Sequence, residues 1–457
     1  MLTYDLPEKN KYYALYLALR GDVLAGNIKS GEKLPSKRSL AEHLGVSVIT
    51  VQTAYEQLLA EGYVVSRERR GYFAAEVSPQ SEVSYTPQKP LNEPRVERWA
   101  LDLCSGRAPV KLFPFSTWAK LMRQTLSEEG GHLLERVPCD GDPTLKQAIA
   151  AYLYRFRGFR VDPERIVIGA GAEYLYGVIV QLLGRDRPYA VENPAYARIP
   201  QTYKLNGAEC VFLPVGDDGV RVEAVEKSGA CALHVSPSHQ YPTGAVMPAA
   251  NRSRLLDWAQ RTGAYIIEDD YDSEFRLFGK PLQTMAAINY EKVIYINTFS
   301  KTLAPSLRMG YMVLPPRLYA VYRSLYGDSA NVVPLFEQKT LAKMLDGGYF
   351  ERHVNRLRAY YRTVREKLMK ILENLPFEKR IIETGGGLHL TVRLPSFASD
   401  EEIKSKAKER GIKIKCVSDY LFSPDKRYEK VAVINYSSVE ADALSTIYRQ
   451  LSTHNSL

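Results

Sequence analysis

Apolar positions along this chain recur with two periods, and the change of period divides it into parts. Leu40, Ala41 and Leu44 repeat at helical spacing behind the pair Pro35-Ser36, which predicts a short helix with a proline and serine start. Gly45-Val46 interrupts it. Ser47 then stands where a cap is needed, and Val51, Tyr55 and Leu58 recur at steps of four and three as the buried stripe of a second helix. The opposite face of that helix carries Ile49, Thr50, Gln52 and Thr53. After Gly62, Tyr63-Val64-Val65-Ser66 and Tyr72-Phe73-Ala74 predict two short strands around the basic tip Arg67-Glu68-Arg69-Arg70-Gly71. Two helices with a glycine turn make a helix-turn-helix, whose second helix can present its first turn to base edges in a major groove, and the hairpin makes a wing.

Residues 77–98 are rich in proline, serine and other polar residues and lack any apolar period, which predicts a linker. Beyond it, apolar runs at Arg165–Ile168, Tyr189–Val191, Ala264–Ile267 and Lys292–Ile296 alternate with helical segments, the pattern of an α/β sheet. From about Phe336 a charged helical stretch leads into strands near His389–Arg393 and Val431–Asn435, a smaller α+β part. The expected domains are 1–76 for the winged helix-turn-helix, 99–335 for a large α/β domain and 336–457 for a small carboxyl-terminal one.

A length of 457 residues exceeds what one core usually serves, in keeping with this division. No apolar run approaches the ~18 residues of a membrane helix, and the first residues lack the basic and apolar stretches of a secretory signal, so a cytoplasmic protein is expected. Five scattered cysteines with no C-x-x-C pair argue against a disulfide framework or a zinc site, and no metal is expected. The net charge of +9 permits a polyanionic partner. Residues 1–76 hold 10 Lys/Arg against 9 Asp/Glu, so any grip on nucleic acid there depends on where the cations sit.

Chemistry concentrates after two of the apolar runs. Ala264–Ile267 leads into Glu268-Asp269-Asp270-Tyr271-Asp272, and Lys292–Ile296 leads into Asn297-Thr298-Phe299-Ser300-Lys301 with Arg308 following. Ligands of open α/β sheets bind beyond the carboxyl ends of strands, so these groups are positioned for a site. A lysine in such a pocket can form a Schiff base once burial or cationic neighbours lower its pKa. Pyridoxal 5′-phosphate needs an amine, an anion for its pyridinium nitrogen and donors for its phosphate; Lys301, Asp269 and Arg308 can supply them. Gly169-Ala170-Gly171-Ala172-Glu173 suggests a dinucleotide loop, but Tyr174 stands where the third glycine belongs, and a phosphate loop at a helix start is the better reading.

The segment from Ile28 to Phe73 resembles the winged helix-turn-helix of the GntR regulators through Gly31-x-x-Leu34-Pro35-Ser36-x-Arg38, Leu40-Ala41-x-x-Leu44-Gly45-Val46-Ser47, Thr50-Val51, Glu61-Gly62 and Gly71-x-Phe73. The resemblance implies DNA contacts from Ser36, Lys37, Arg38, Ser47, Thr50, Gln52, Thr53, Arg69, Arg70 and Gly71, with Arg38, Arg69 and Arg70 on phosphates and Gln52 on a base. Val48 stands where an arginine is common. Residues 101–457 resemble the fold-type I aminotransferases, with Cys139-Asp140-Gly141-Asp142-Pro143 and Ser236-Pro237-Ser238-His239-Gln240-Tyr241-Pro242-Thr243-Gly244 as further motifs. That resemblance implies an aldimine at Lys301, Asp269 on the pyridine nitrogen, Tyr271 on the phenol oxygen, Tyr196 stacked on the ring, and Gly171, Ala172, Ser300 and Arg308 on the phosphate. Ala172 and Glu173 depart from the usual Ser/Thr and Gln.

The two together resemble the MocR-type regulators, which implies a dimer on paired half-sites whose body senses pyridoxal phosphate or an amine. Relatives acting on amino acids hold the carboxylate with an arginine where Val433 stands, and valine cannot make that bidentate pair. Either Arg198 or Arg393 takes over, or the effector is no ordinary α-amino acid. The rival reading is an active aminotransferase with an accessory DNA-binding head; a third is a DNA-binding protein whose body only dimerises.

Overall fold

A computed structural model describes residues 2–77, 99–106, 109–277, 282–382, 387–440 and Leu444. They fall into two compact units, Met1–Val96 and Glu97–Leu457. All but the first residue of the expected linker lies outside the described residues.

The first unit consists of α1 (Lys11–Ala25), α2 (Lys37–Leu44), α3 (Val48–Ala60) and the hairpin β1 (Val64–Arg67) and β2 (Gly71–Ala74). Leu15 and Leu19 of α1, Leu40 of α2 and Val51, Tyr55 and Leu58 of α3 are fully enclosed; each such side chain contributes ~1.5–3 kcal/mol of burial. The two predicted caps form: Ser36 Oγ accepts from Ser39 N at 3.1 Å and Ser47 Oγ from Thr50 N at 3.2 Å. Each cap stabilises its helix by about 1 kcal/mol. Gly45 ends α2 at φ 63°, a left-handed conformation suited to glycine. Residues 31–34 lie against β2, with Leu34 N donating to Tyr72 O at 2.9 Å, so the wing is fastened to the strand-like entry of α2.

The second unit opens with β3 (Leu101–Asp102) and is built on an eight-stranded sheet: β4 (Ile166–Gly169), β5 (Tyr189–Asn193), β6 (Cys210–Gly216), β7 (Gly219–Val220), β8 (Ala232–Val235), β9 (Tyr265–Asp269), β10 (Val293–Thr298) and β11 (Gly310–Val313). Their order is β4-β11-β10-β9-β8-β5-β6-β7. Strands β10, β9, β8, β5 and β6 run parallel; β11 is antiparallel to both its neighbours. Successive residues of a strand enter different cores: Ile166 and Ile168 pack on one face, Val167 on the other. A sheet buried on both faces needs continuous apolar strands, which is why these segments read as unbroken runs.

A four-stranded antiparallel sheet follows, ordered β12-β13-β16-β15 from β12 (Arg380–Ile382), β13 (His389–Arg393), β15 (Lys415–Cys416) and β16 (Val431–Asn435). The small strand β14 (Ile412–Lys413) pairs in parallel with β3, so the start of this unit joins its end. The helix Tyr349–Glu373 links the two cores: Phe350 and Val354 pack into that of the large sheet, while Leu357, Tyr361, Val364 and Leu368 pack into that of the small sheet.

Candidate functional site

In the first unit the residues expected on DNA lie on the start of α2, the start of α3 and the hairpin tip. Ser36, Arg38, Ser47, Arg69 and Arg70 are exposed. Lys37 and Thr50 are half-buried; the Lys37 ammonium lies 5.9 Å from the centre of the Tyr72 ring, and Ser47 Oγ is 2.9 Å from Thr50 Oγ1. Thr53 Oγ1 donates back to Ile49 O at 3.0 Å, and the Gln52 amide donates to Glu56 at 2.8 Å. Arg69 and Gly71 take φ 56° and 105°, which turns the hairpin tip. Ile49 is 75 % exposed beside Thr50, an apolar contact surface of the kind that meets a thymine methyl. Tyr55, legible only as a stripe residue, ties these elements together. Its hydroxyl donates to Pro35 O at 2.9 Å and its ring meets Tyr72 edge-on at 5.0 Å, joining α3 to the entry of α2 and to the wing.

The second unit encloses a cavity of about 410 Å³ at the carboxyl ends of β5, β8, β9 and β10. Lys301, Asp269, Tyr271, Tyr196, Ala172, Ser300 and Arg308 all line it. Lys301 Nζ donates to Gly106 O at 3.0 Å, and a Cβ on Gly106 would overlap that nitrogen, so a side chain there would displace the amine from its present position. Burial holds the Lys301 amine below the usual lysine range, with Asp272 acting in the opposite direction. A depressed pKa leaves more of the amine unprotonated and nucleophilic.

Asp269, the last residue of β9, is buried and accepts from Tyr176 OH; His234 Nε2 lies 3.3 Å away, with Tyr203 OH 2.6 Å from His234 Nδ1. This Tyr-His-Tyr surround orients the carboxylate. Tyr271 OH donates to His239 O at 3.1 Å, and burial pushes its hydroxyl well above the usual range. Gly171, at φ 86°, caps the helix Ala172–Leu183. A Cβ there would sit 3.4 Å from the Arg308 guanidinium, which is anchored on Ala170 O at 3.0 Å. A helix N-terminus with an arginine beside it is a donor set for a phosphate.

Arg198 and Arg393 are not among the cavity's lining residues. Arg198 is exposed at the start of the helix Arg198–Leu205 and donates to Gln201 at 3.2 Å; Arg393 donates to Arg427 O at 2.6 Å and to Glu429 O at 3.3 Å. Val433 is buried among Val417, Tyr420 and Val431. Two residues on and on the same face of β16, Asn435 lines the cavity, as do His389, Tyr241, Asp272 and Glu192. Burial raises Glu192 to about 8, while Ser236 N and the Gln240 amide contact its Oε2. Sequence reasoning missed Tyr176, His234, Asn435 and His389 as site residues. A histidine and an asparagine in otherwise apolar strands were the one available signal. His239, Asp272 and His389 also form a buried trio of ligand-type groups within 4.8 Å of one another.

The donor set fits pyridoxal phosphate: an amine, a carboxylate held by two donors and a helix N-terminus with Arg308 border one cavity of ligand size. Comparisons with known proteins agree with both halves of the chain. The aminotransferase class I and II family matches residues 100–422, and the bacterial regulatory proteins of the gntR family match residues 11–73. The HTH-type transcriptional regulator YdeL of Bacillus subtilis is 35% identical over 91% of this chain and 90% of its own. The probable rhizopine catabolism regulatory protein MocR of Rhizobium meliloti is 32% identical over 93% and 90%, and the pyridoxine biosynthesis regulator PdxR of Corynebacterium glutamicum is 30% identical over 96% and 94%.

Among solved structures, the multiple substrate aminotransferase of Thermococcus profundus superposes with a TM-score of 0.67 at 24% identity, over 78% of this chain and 91% of its own, a likeness of fold. No helix among the described residues is long and apolar enough to cross a membrane. The fold-type I body, the gntR head and full-length likeness to such regulators converge: the chain belongs to the MocR-type HTH transcriptional regulators, in which a gntR-family DNA-binding head is joined to a body of the aminotransferase class I and II family, a pyridoxal-phosphate-dependent fold family.

Proposed function

We propose that this regulator binds pyridoxal phosphate at Lys301 and senses through it the cofactor itself or an amine, and that a homodimer presents two heads to paired half-sites on DNA. The observation that carries the reading is the meeting, in one cavity, of a half-buried lysine of lowered pKa, a carboxylate oriented by Tyr176 and His234, and a helix N-terminus beside Arg308. Pyridoxal phosphate supplies an aldehyde that condenses with amines and a ring that draws electrons from them. The protein's part is to orient and hold protons. Asp269 would keep a proton on the ring nitrogen, Arg308, Ser300 and the amides at Gly171 and Ala172 would receive the phosphate, Tyr196 would stack on the ring, and Tyr271 would contact the phenol oxygen. Sensing needs only that the ligand bind two arrangements of the protein unequally; a coupling of ~1–3 kcal/mol shifts occupancy about 5- to 150-fold.

In the head, Arg38, Arg69 and Arg70 hold phosphates, Gln52 exchanges Glu56 for a base edge, and Ser36, Lys37, Ser47, Thr50, Thr53 and Gly71 complete the contact surface. The rival reading of a working aminotransferase is weakened by Val433, since a buried valine stands where an amino-acid enzyme places its carboxylate-binding arginine, and by the neutral amide of Asn435, the residue of β16 that lines the cavity. Footprinting of the DNA flanking the gene, with and without pyridoxal phosphate and a panel of amines, tests the sensor reading. A footprint that changes with one of these ligands is expected. An unchanged footprint together with steady transamination of common amino acids overturns it in favour of the enzyme.

A further inference from the structure

Behind the Lys301 cavity lies a chamber of about 10 Å³, walled in part by Arg157, Ser238, His239, Asp272, Ser273 and Gly387. Among the described residues, Arg157 Nε, Ser238 Oγ, His239 Nε2 and Ser273 Oγ are buried without a hydrogen-bond partner. Each such atom costs ~1–3 kcal/mol when left unsatisfied. A polar space of this size with several partners is one that holds a single water. Gly387 closes it at φ 72°; any Cβ there would overlap the His239 ring and come 2.6 Å from Asp272 Oδ2.

Asp272 belongs to both spaces. It lines the chamber and it lines the cavity that holds Lys301. Its Oδ2 lies 2.9 Å from His239 Nδ1, so His239 reaches from the carboxylate to the chamber, one ring nitrogen on each. Among the other ionisable groups of the cavity, Tyr241 and Tyr271 are phenols, His389 is a ring whose Nε2 is spent on Pro242 O at 3.1 Å, Arg308 is a cation, Asp269 is held by Tyr176 and His234, Glu192 is met by Ser236 N and the Gln240 amide, and Glu173 stands in the first turn of the helix Ala172–Leu183; Asp272 is the charge that acts on the Lys301 amine. A metal ion on His239, Asp272 and His389 is disfavoured by the guanidinium groups of Arg157 and Arg276 in the chamber wall, which repel a dication.

We propose that Asp272 is the counter-charge of the Lys301 nitrogen, a positioning residue kept in place by His239 and by one buried water bound to Ser238, Ser273 and Arg157. An oriented carboxylate in a low-dielectric site favours the protonated nitrogen against the cost of burying its charge. This deepens the reading of Lys301 as the sensing lysine, yet it concerns the amine itself and is testable without the cofactor.

The test is competitive acetylation of Lys301 in full-length protein stripped of pyridoxal phosphate, followed by peptide mapping across the pH range in which amines titrate. Asp272→Asn is expected to lower the midpoint of Lys301 by one unit or more, about tenfold in proton affinity, while Asp272→Glu stays near the parent. An unmoved midpoint in a folded Asp272→Asn protein overturns the proposal. Should that variant not fold, Asp272→Ser removes the same charge and is read the same way. A high-resolution crystal structure with a water bound to Ser238 and Ser273 supports the chamber's part; an empty chamber or a metal peak overturns it. Because the labelling needs no cofactor, a negative result counts against Asp272 alone, whereas absence of a pyridoxyl adduct at Lys301 counts against the cofactor reading alone.

Discussion

In the head, the residues expected on DNA lie between Ser36 and Gly71 and several are exposed, whereas in the body those expected on the cofactor come from Gly171 to Arg308 and surround one cavity. The head places its chemistry by local means. A capped helix start and a tight hairpin carry their functional side chains wherever the fold forms. The body places its chemistry by distance: Tyr176, His234 and Asp269 meet because strands β8 and β9 and the helix Ala172–Leu183 pack together. A surface assembled locally tolerates changes at single contacts, while a cavity assembled over long range depends on each wall.

The largest expected effect separates the two units outright. Lys301→Ala should abolish the pyridoxyl adduct after borohydride treatment, read by peptide mass mapping, and leave operator binding by the head measurable. Next, Tyr55→Ala should destabilise the head by ~3–5 kcal/mol, with the body's unfolding transition unmoved in calorimetry. Tyr55→Phe, which loses only the bond to Pro35, should cost about 1 kcal/mol. Arg308→Ala should weaken pyridoxal phosphate binding by roughly 1.5–3 kcal/mol, the worth of a hydrogen bond to a charged group, as measured by equilibrium dialysis.

The units should also answer pH in opposite directions. Burial raises Glu268 and Glu274 to about 7 and Glu192 to about 8, above the ordinary glutamate value of 4.5. The folded body therefore holds protons that the unfolded chain has released. Their contribution is complete below pH 4.5 and is lost as pH rises through 7 and 8, at about 1.4 kcal/mol for each tenfold change in proton affinity. Glu192→Gln should flatten the upper part of that fall in denaturant titrations. In the head, the Tyr16 hydroxyl lowers Glu61, so its contribution is present above the ordinary value and is lost as pH drops. The smallest effect is on the exposed surface: Arg38→Ala should reduce the log–log salt slope of operator binding by about 0.9. An unchanged slope would remove Arg38 from the interface.

Much of this arrangement was legible beforehand. The strands at His389–Arg393 and Val431–Asn435 and both serine caps lie where the pattern puts them. Other strands run further than their apolar residues suggest. Strand β9 continues to Asp269 and β10 to Thr298, because backbone pairing persists where the side chains turn polar to face the cavity. Helix α1 did not stand out, since Tyr12, Tyr13 and Leu17 add exposed apolar residues to its buried face. Val433 directed attention to a missing arginine; the residue of β16 that lines the cavity is Asn435.

Taken alone, the amino-acid order determined what is set by short-range physics: helix caps, turns, the run of apolar residues in a doubly covered sheet, and motifs whose members lie a few residues apart. It named Lys301, Asp269 and Arg308 because each follows an apolar run. Tertiary structure alone decided which groups hold them: Tyr176 and His234 on Asp269, Gly106 under Lys301, and Asp272 with His239 behind it. Those partners stand tens to hundreds of residues apart in the chain, and packing of strands and helices, which no local pattern encodes, brings them within hydrogen-bond reach.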